Sequence, residues 1–313
     1  MPDNEMSRPV IFGEILFDCF PDGRRVLGGA PFNVAWHLRG LGHDPLLISR
    51  IGQDDAGEEV LRALRAWGLD TAGIQRDPDR PTGRVTVALR DGVPTFEIAP
   101  RQAYDALDLE PALGAVTARP ASLLYHGTLA LREPGNARVL DAIATATGAP
   151  VFLDVNVRRP WWNREACEVL ATRATWLKAS VEELPELGLS ADDPAAGAAV
   201  LVRRHALAAA VVTGGADGAW YADRIDTIHV PAPPVPDLAD TVGAGDAFSA
   251  VCIHGLLSRW SPTTLLTRAA GFAAEICRRP GAVTDDRELY ARLQGGWRSW
   301  VRPPHRPSGR PDA

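Results

Sequence analysis

Lysine is almost missing from this sequence: of 33 basic residues only Lys178 is a lysine, and the others are arginines. That imbalance reads as a compositional bias and excludes little. Other shortages exclude more. The basic residues are outnumbered by 39 Asp and Glu, leaving a net charge of −6 and a pI near 5.7. No broad cationic surface is available for nucleic acid or an anionic membrane, and no local basic patch stands out. The four cysteines, Cys19, Cys167, Cys252 and Cys277, lie far apart in apolar surroundings and form no C-x-x-C pair. Neither a zinc site nor a disulfide framework is expected, and reduced, buried thiols are. Nowhere do about eighteen uncharged apolar residues run together, and the opening MPDNEMSRPV lacks the apolar centre of a signal peptide. A soluble, cytoplasmic protein is the expectation.

What is present is a rhythm. At 46% hydrophobic and 23% charged, the composition is that of a packed, enzyme-sized globular protein. PVIFGEILFDCF reads as a strand, PDGRR as a turn, and GGAPFNVAWHLRGLG as a glycine turn into a helix with Val34, Leu38 and Leu41 on one face. Pro31 suits the first turn of that helix, where no N–H is needed. PLLISRIG is a further strand and GEEVLRALRAWG a further amphipathic helix. Alternation at Val85, Val87 and Leu89 before an Asp91-Gly92 turn marks a hairpin over 82–99 that stands outside the main sheet. Strand and helix then resume through SLLYHG, PGNARVLDAIATATG, PVFLDVN, EACEVLATRA, TWLKAS and AAAVVTGG. A second hairpin, GAWYADRIDTIHV, and helices within 243–257 and 262–278 follow. Alternation of this kind predicts an α/β fold: a mostly parallel central sheet with helices on both faces, whose ligands gather at the carboxyl ends of the strands.

The stretch DTVGAGDAFS, residues 240–249, carries the chemistry. Ala247, Phe248, Val251 and Cys252 recur at helical spacing, so a helix starts at Ala244 or Gly245 and Asp246 falls in its first turn. Free N–H groups and the positive end of the helix dipole attract an anion there, and Gly243, Ala244 and Gly245 let a phosphate come close. An aspartate at this place can accept a proton from a hydroxyl, which joins an anion hole to a base. Taken alone, the stretch is also explained as a glycine turn in which Asp246 compensates the dipole. No G-x-x-x-x-G-K-[ST] phosphate loop, no H-R-D signature and no G-x-G-x-x-G after the first strand occurs, which disfavours those nucleotide-binding designs.

With its D-T-x-G-A-G-D-x-F signature complete from Asp240 to Phe248 and a first signature matched by GGAPFNVAWHLRGLG at 28–42, the chain resembles the ribokinase-like, PfkB-type carbohydrate kinases. Within that family FGEILFDCFP, GGAPFNVA, YHGTLALRE and DVNVRRPWW look most like fructokinases. The resemblance implies transfer of the γ-phosphoryl group of ATP, with Mg²⁺ on the phosphates, to a primary hydroxyl of a furanose sugar. It assigns Asp246 as the base and Gly243, Ala244 and Gly245 as the phosphate cradle. Asp18 and Asn33 would hold sugar hydroxyls, with Gly28 and Gly29 allowing close approach; their separate explanations are turn chemistry and a helix cap. Thr213, Gly215 and Gly218 would meet the nucleotide, and the segment 278–283 would lie beside the adenine. Glu183 would order water around Mg²⁺ through the N-x-x-E motif, in which Ser180 departs from the usual asparagine. Asp240 is the candidate for a monovalent cation such as K⁺.

The same resemblance implies a kinase domain over 8–295, lid segments at about 17–28 and 82–100, and a homodimer paired through the lid. The proline-rich 296–313 is expected to be a poorly ordered tail. Arg158 in DVNVRRPWW resembles an arginine that meets a substrate carboxylate in 2-keto-3-deoxygluconate kinases. The segment TFEIAPRQAYDAL lacks the pattern of those enzymes, which favours a neutral ketose. Ribose, a nucleoside and a non-catalytic sugar or nucleotide sensor remain as alternatives, and whether Arg101 or Arg132 reaches the site is open.

Overall fold

Arg8–Phe12 (β1) is buried along its whole length, and its side chains part company: Val10 and Phe12 join one core cluster and Ile11 another. A strand covered on both faces belongs inside a parallel sheet. The computed structural model describes residues 7–90 and 93–299. From β1 the chain runs through Leu16–Cys19 (β2), Arg25–Gly28 (β3), Ala30–Gly40 (α1), Leu46–Gly52 (β4), Asp55–Trp67 (α2) and Ile74–Asp77 (β5). Next come Gly83–Arg90 (β6), Val93–Ile98 (β7), Leu109–Thr117 (α3), Ala121–His126 (β8), Pro134–Thr147 (α4), Val151–Asp154 (β9) and Arg164–Arg173 (α5). Trp176–Ser180 (β10), Pro194–His205 (α6), Ala209–Thr213 (β11), Ala219–Ala222 (β12), Thr227–Val230 (β13), Ala244–Leu257 (α7), Pro262–Cys277 (α8) and Arg287–Ser299 (α9) complete it.

The large sheet has the order β13-β12-β11-β10-β9-β8-β1-β4-β5. It is parallel from β11 to β5, with the antiparallel hairpin β12-β13 at one edge. Leu38 of α1, Leu64 of α2, Ile253 of α7, Phe272 of α8 and Leu289 of α9 pack on one face. Val116 of α3 and Leu140 of α4 cover the other face, and Cys167 of α5 and Leu201 of α6 extend that cover. A second sheet of order β3-β2-β6-β7 is assembled from the two segments expected to form the lid.

Helix α2 shows how this sheet and the body are joined. Asp54 caps it by accepting the Gly57 N–H at 2.8 Å, and Val60, Leu61, Leu64 and Trp67 bury one face, each side chain contributing about 2 kcal/mol. The same carboxylate accepts from the Thr82 hydroxyl at 2.6 Å and from its N–H at 2.9 Å. The cap of a body helix therefore also anchors the root of strand β6.

Several expectations change. The tail does not begin at 296, because α9 runs on to Ser299; residues 300–313 and the Asp91-Gly92 turn lie outside the described residues. Cys167 and Cys252 are buried free thiols, whereas Cys19 and Cys277 are half-buried. Cys19 lies in β2 and Cys277 at the end of α8, each with one open side.

Candidate active site

The GAGD turn forms as its residues dictate. Gly243 caps α7 with φ at +78°, a left-handed conformation that glycine tolerates, and a Cβ there would lie 2.4 Å from the Ala282 Cα. Helix α7 starts at Ala244, so Asp246 sits in the first turn as expected. On the sugar side, α1 starts after Gly28 and Gly29 and puts Asn33 in its own first turn. Asn33 Nδ2 donates to Asp246 Oδ2 at 2.7 Å. A Cβ on Gly28 would lie 3.8 Å from Asp18 Oδ2 and 3.9 Å from Asn33 Oδ1, so both oxygens overlook the space that this glycine leaves clear. Asn33 Oδ1 is buried and has no partner among the described residues. Asp18 from β2, Asn33 from α1 and Asp246 from α7 thus converge as the resemblance implies.

Burial raises the Asp246 carboxyl to about 6; the Asn33 hydrogen bond and the charges of Lys178 and Arg158 pull it down, and Asp154 pushes it up. Burial also raises Asp18, against the pull of Arg158. Arg158 is exposed, yet its charge is felt by Glu14, Asp18 and Asp246 alike.

Two functional groups escaped the sequence analysis. Glu14, just past β1, is 2% exposed, carries an unpartnered Oε2 and is pushed by burial to about 7, with Arg158 opposing and Asp246 adding to the rise. Its only sequence signal is an acid inside an apolar run. Lys178, set aside as composition, is buried on β10 with Nζ 2.9 Å from both Asp154 oxygens. Ser249 Oγ lies 2.8 Å from Asp154 Oδ2 and 2.9 Å from the Gly245 carbonyl.

Next to the turn opens a cavity of about 660 Å³. Thr213, Gly215 and Gly218 line it beyond β11, Ala244 and Gly245 line it at α7, and Pro233, Val235, Leu238 and Ala273 supply apolar walls. That mixture suits a flat heteroaromatic ring with phosphates directed at a helix N-terminus. The segment 278–283 does not line it; Cys277 does, and the following loop passes behind Gly243 through Ala282.

Glu183 has both oxygens engaged, Oε1 by the Val157 N–H at 2.6 Å and Oε2 by the Ser180 N–H at 2.8 Å. Ser180 completes a reciprocal capping box with it, so the serine holds Glu183 in place. Among the described residues no group of three His, Cys, Asp or Glu is placed to hold a metal ion. Glu183 is a single carboxylate whose oxygens each already accept one N–H, and only their remaining lone pairs are left for a water on Mg²⁺ carried by phosphates. Asp240 accepts from the N–H of Val242 at 3.0 Å and of Gly281 at 3.2 Å, bracing the run into the turn. Arg132 is buried against Asp105, with Nε–Oδ1 at 2.8 Å and Nη2–Oδ2 at 2.6 Å, and stacks over Trp161; Arg101 is exposed.

The chain is similar to known proteins over most of its length. Residues 20–288 match the pfkB family of carbohydrate kinases. The sequence is 32% identical over 285 residues to a fructokinase of Klebsiella pneumoniae, covering 85% of this chain and 90% of that protein. A fructokinase of Vibrio cholerae O395, solved in its fructose-, ADP- and calcium-bound form, superposes with a TM-score of 0.74 at 26% identity, over 92% of this chain and 99% of that one. Aminoimidazole riboside kinase of Salmonella enterica, complexed with aminoimidazole riboside and an ATP analogue, shares the fold with a TM-score of 0.76 at 23% identity, over 92% and 99%. No helix among the described residues is long and apolar enough to cross a membrane. A match over residues 20–288, which holds both signatures and the turn that carries Asp246, leaves one assignment: the chain belongs to the pfkB family of carbohydrate kinases.

Proposed function

We propose that this chain transfers the γ-phosphoryl group of ATP to a primary hydroxyl of a neutral ketose, and that the ketose is fructose. One observation carries the reading: Asp246 stands at the seam between two spaces. Its carboxylate is held by Asn33 on the side that Asp18 overlooks, and the backbone of its own turn lines the cavity on the other. A hydroxyl presented by Asp18 and Asn33 gives its proton to Asp246. The oxygen then bonds to the γ-phosphorus as the bond to the β–γ bridging oxygen breaks, leaving sugar phosphate and ADP. First-turn N–H groups of α7 receive the charge on the transferring group, and Mg²⁺, if carried in on the phosphates with Glu183 ordering its water, would supply further charge neutralisation.

The choice of a neutral sugar rests on charge. Glu14, Asp18 and Asp246 feel one exposed arginine, Arg158. The other cation acting on Asp246, Lys178, is paired with Asp154, which leaves little unpaired positive charge to meet the carboxylate of an acid sugar. The Klebsiella pneumoniae likeness supports fructose. The lid sheet, with Phe96 60% exposed on β7, supports a homodimer, and a monomer mass independent of concentration in light scattering would count against it.

The deciding experiment is ADP release with MgATP against fructose, ribose, 2-keto-3-deoxygluconate, tagatose and adenosine, with Asp246→Asn as blank. Selective turnover of fructose is expected. Preference for another acceptor overturns the sugar assignment, and ATP binding without turnover of any of these acceptors also overturns it, in favour of a sugar outside the panel or a sensor.

A further inference from the structure

The only lysine of the chain lies beneath the first turn of α7. Lys178 is 6% exposed, and its pairing with both oxygens of Asp154 engages two of the three ammonium hydrogens. Gly245 is on its other side. A Cβ built on Gly245 would lie 3.6 Å from Lys178 Nζ, the one atom within 4 Å of that point apart from Gly245, its chain neighbours and the backbone of α7. A group that enters on this side of Gly245 therefore comes close to the ammonium. Ser249 ties Asp154 back to α7, so the charge is fastened to the helix whose first turn it faces. Arginine serves every other basic position.

We propose that Lys178 is a further catalytic residue: its ammonium contacts the terminal phosphate of the nucleotide and shares the charge of the transferring phosphoryl group with the α7 N-terminus. The assignment rests on the kinase reading above. The competing account is structural, with Lys178 serving only to neutralise the buried Asp154.

The test compares wild type, Lys178→Gln and the double variant Lys178→Gln/Asp154→Asn, in which no unpaired charge is left buried. Calorimetry without any sugar gives the affinities for MgATP and MgADP. The preference for ATP over ADP should fall roughly tenfold or more in both variants, as expected for loss of a charge-assisted contact. With fructose, kcat should fall roughly a hundredfold at unchanged sugar KM. The double variant should regain thermal stability but neither of these properties. Recovery of the ATP preference and of kcat together with stability overturns the proposal. Because the binding arm uses no acceptor, it decides the role of Lys178 even where the sugar assignment fails, and that failure is recognised separately by a wild type that turns over no acceptor.

Discussion

The Asn33 amide and the Asp246 carboxylate meet at 2.7 Å across 213 positions of sequence. A carboxylate only accepts, so the contact fixes Nδ2 toward Asp246 and leaves Oδ1 as a buried acceptor with nothing to accept from. In the proposed reaction that oxygen receives one sugar hydroxyl while the amide steadies the base. Asn33→Leu should raise the sugar KM at least tenfold, consistent with about 1–3 kcal/mol for a lost buried bond. It should also move the acidic limb of the kcat/KM profile to higher pH, since the Asn33 bond holds Asp246 down. Steady-state kinetics from pH 5 to 9 check both.

In the wild type the same profile should rise with pH through about 6, where Asp246 becomes a carboxylate able to take a proton. Glu14 keeps its proton to about 7, above the value for Asp246, whose charge adds to the rise. Glu14→Gln, which copies the protonated form, should therefore leave the limb near 6 in place.

Glu14 also makes a stability prediction. Its carboxyl is raised from 4.5 to about 7 in the folded protein, so between these values the unfolded chain has lost the proton that the folded one keeps. Folding is therefore opposed increasingly as pH rises through this window, and below about 4 the effect vanishes. Glu14→Gln copies the protonated form and should stabilise by about 3 kcal/mol at pH 8 and by almost nothing at pH 4. Urea denaturation at the two pH values measures this.

Gly243→Ala should cost about 2–3 kcal/mol and most of the turnover, because it combines a left-handed φ with a clash against Ala282. Gly271→Ala in α8, where a Cβ meets nothing within 4 Å, should instead stabilise by about 0.5–1 kcal/mol with turnover unchanged. Thermal melts and fructose turnover compare the two.

Arg132→Met strands Asp105, which is 1% exposed at its side chain, and should lose about 3–5 kcal/mol. Adding Asp105→Asn should restore a good part of that, with sugar KM changing little in the double variant. Denaturation curves beside KM values distinguish this from a role at the sugar.

The sequence made legible whatever was local. The start of α7 was readable because its capping glycine, small residues and apolar spacing fall within a dozen positions, and the lid hairpin because strict alternation betrays a strand. Helices α3 and α6 were not read: PAAGAAVLVRRH and LEPALGAVT are rich in Ala, Gly and Pro, which flatten the contrast between faces. Helix α9 was not read either: it carries a Gly-Gly pair, and tertiary packing of Leu289 and Tyr290 sustains it. At the site, Asp18, Asn33 and Asp246 came from motifs, but their partnerships span distant segments and no spacing announces them. Lys178 was discounted because rarity alone does not reveal burial beside Asp154. Glu14 looked like an interruption in a strand until the fold closed around it.

Asp18 belongs to the small sheet, whereas Asn33 and Asp246 belong to the large body. A ligand held by all three bridges two bodies, so its affinity and the seating of the small sheet become linked functions with a single coupling free energy. Arg25 of β3 pairs with Glu59 of α2 across the same boundary, far from any sugar hydroxyl in role. Weakening that latch taxes ligand binding by the factor with which the ligand favours the seated sheet, so selectivity here is partly a mechanical property, tunable at residues that never meet the substrate.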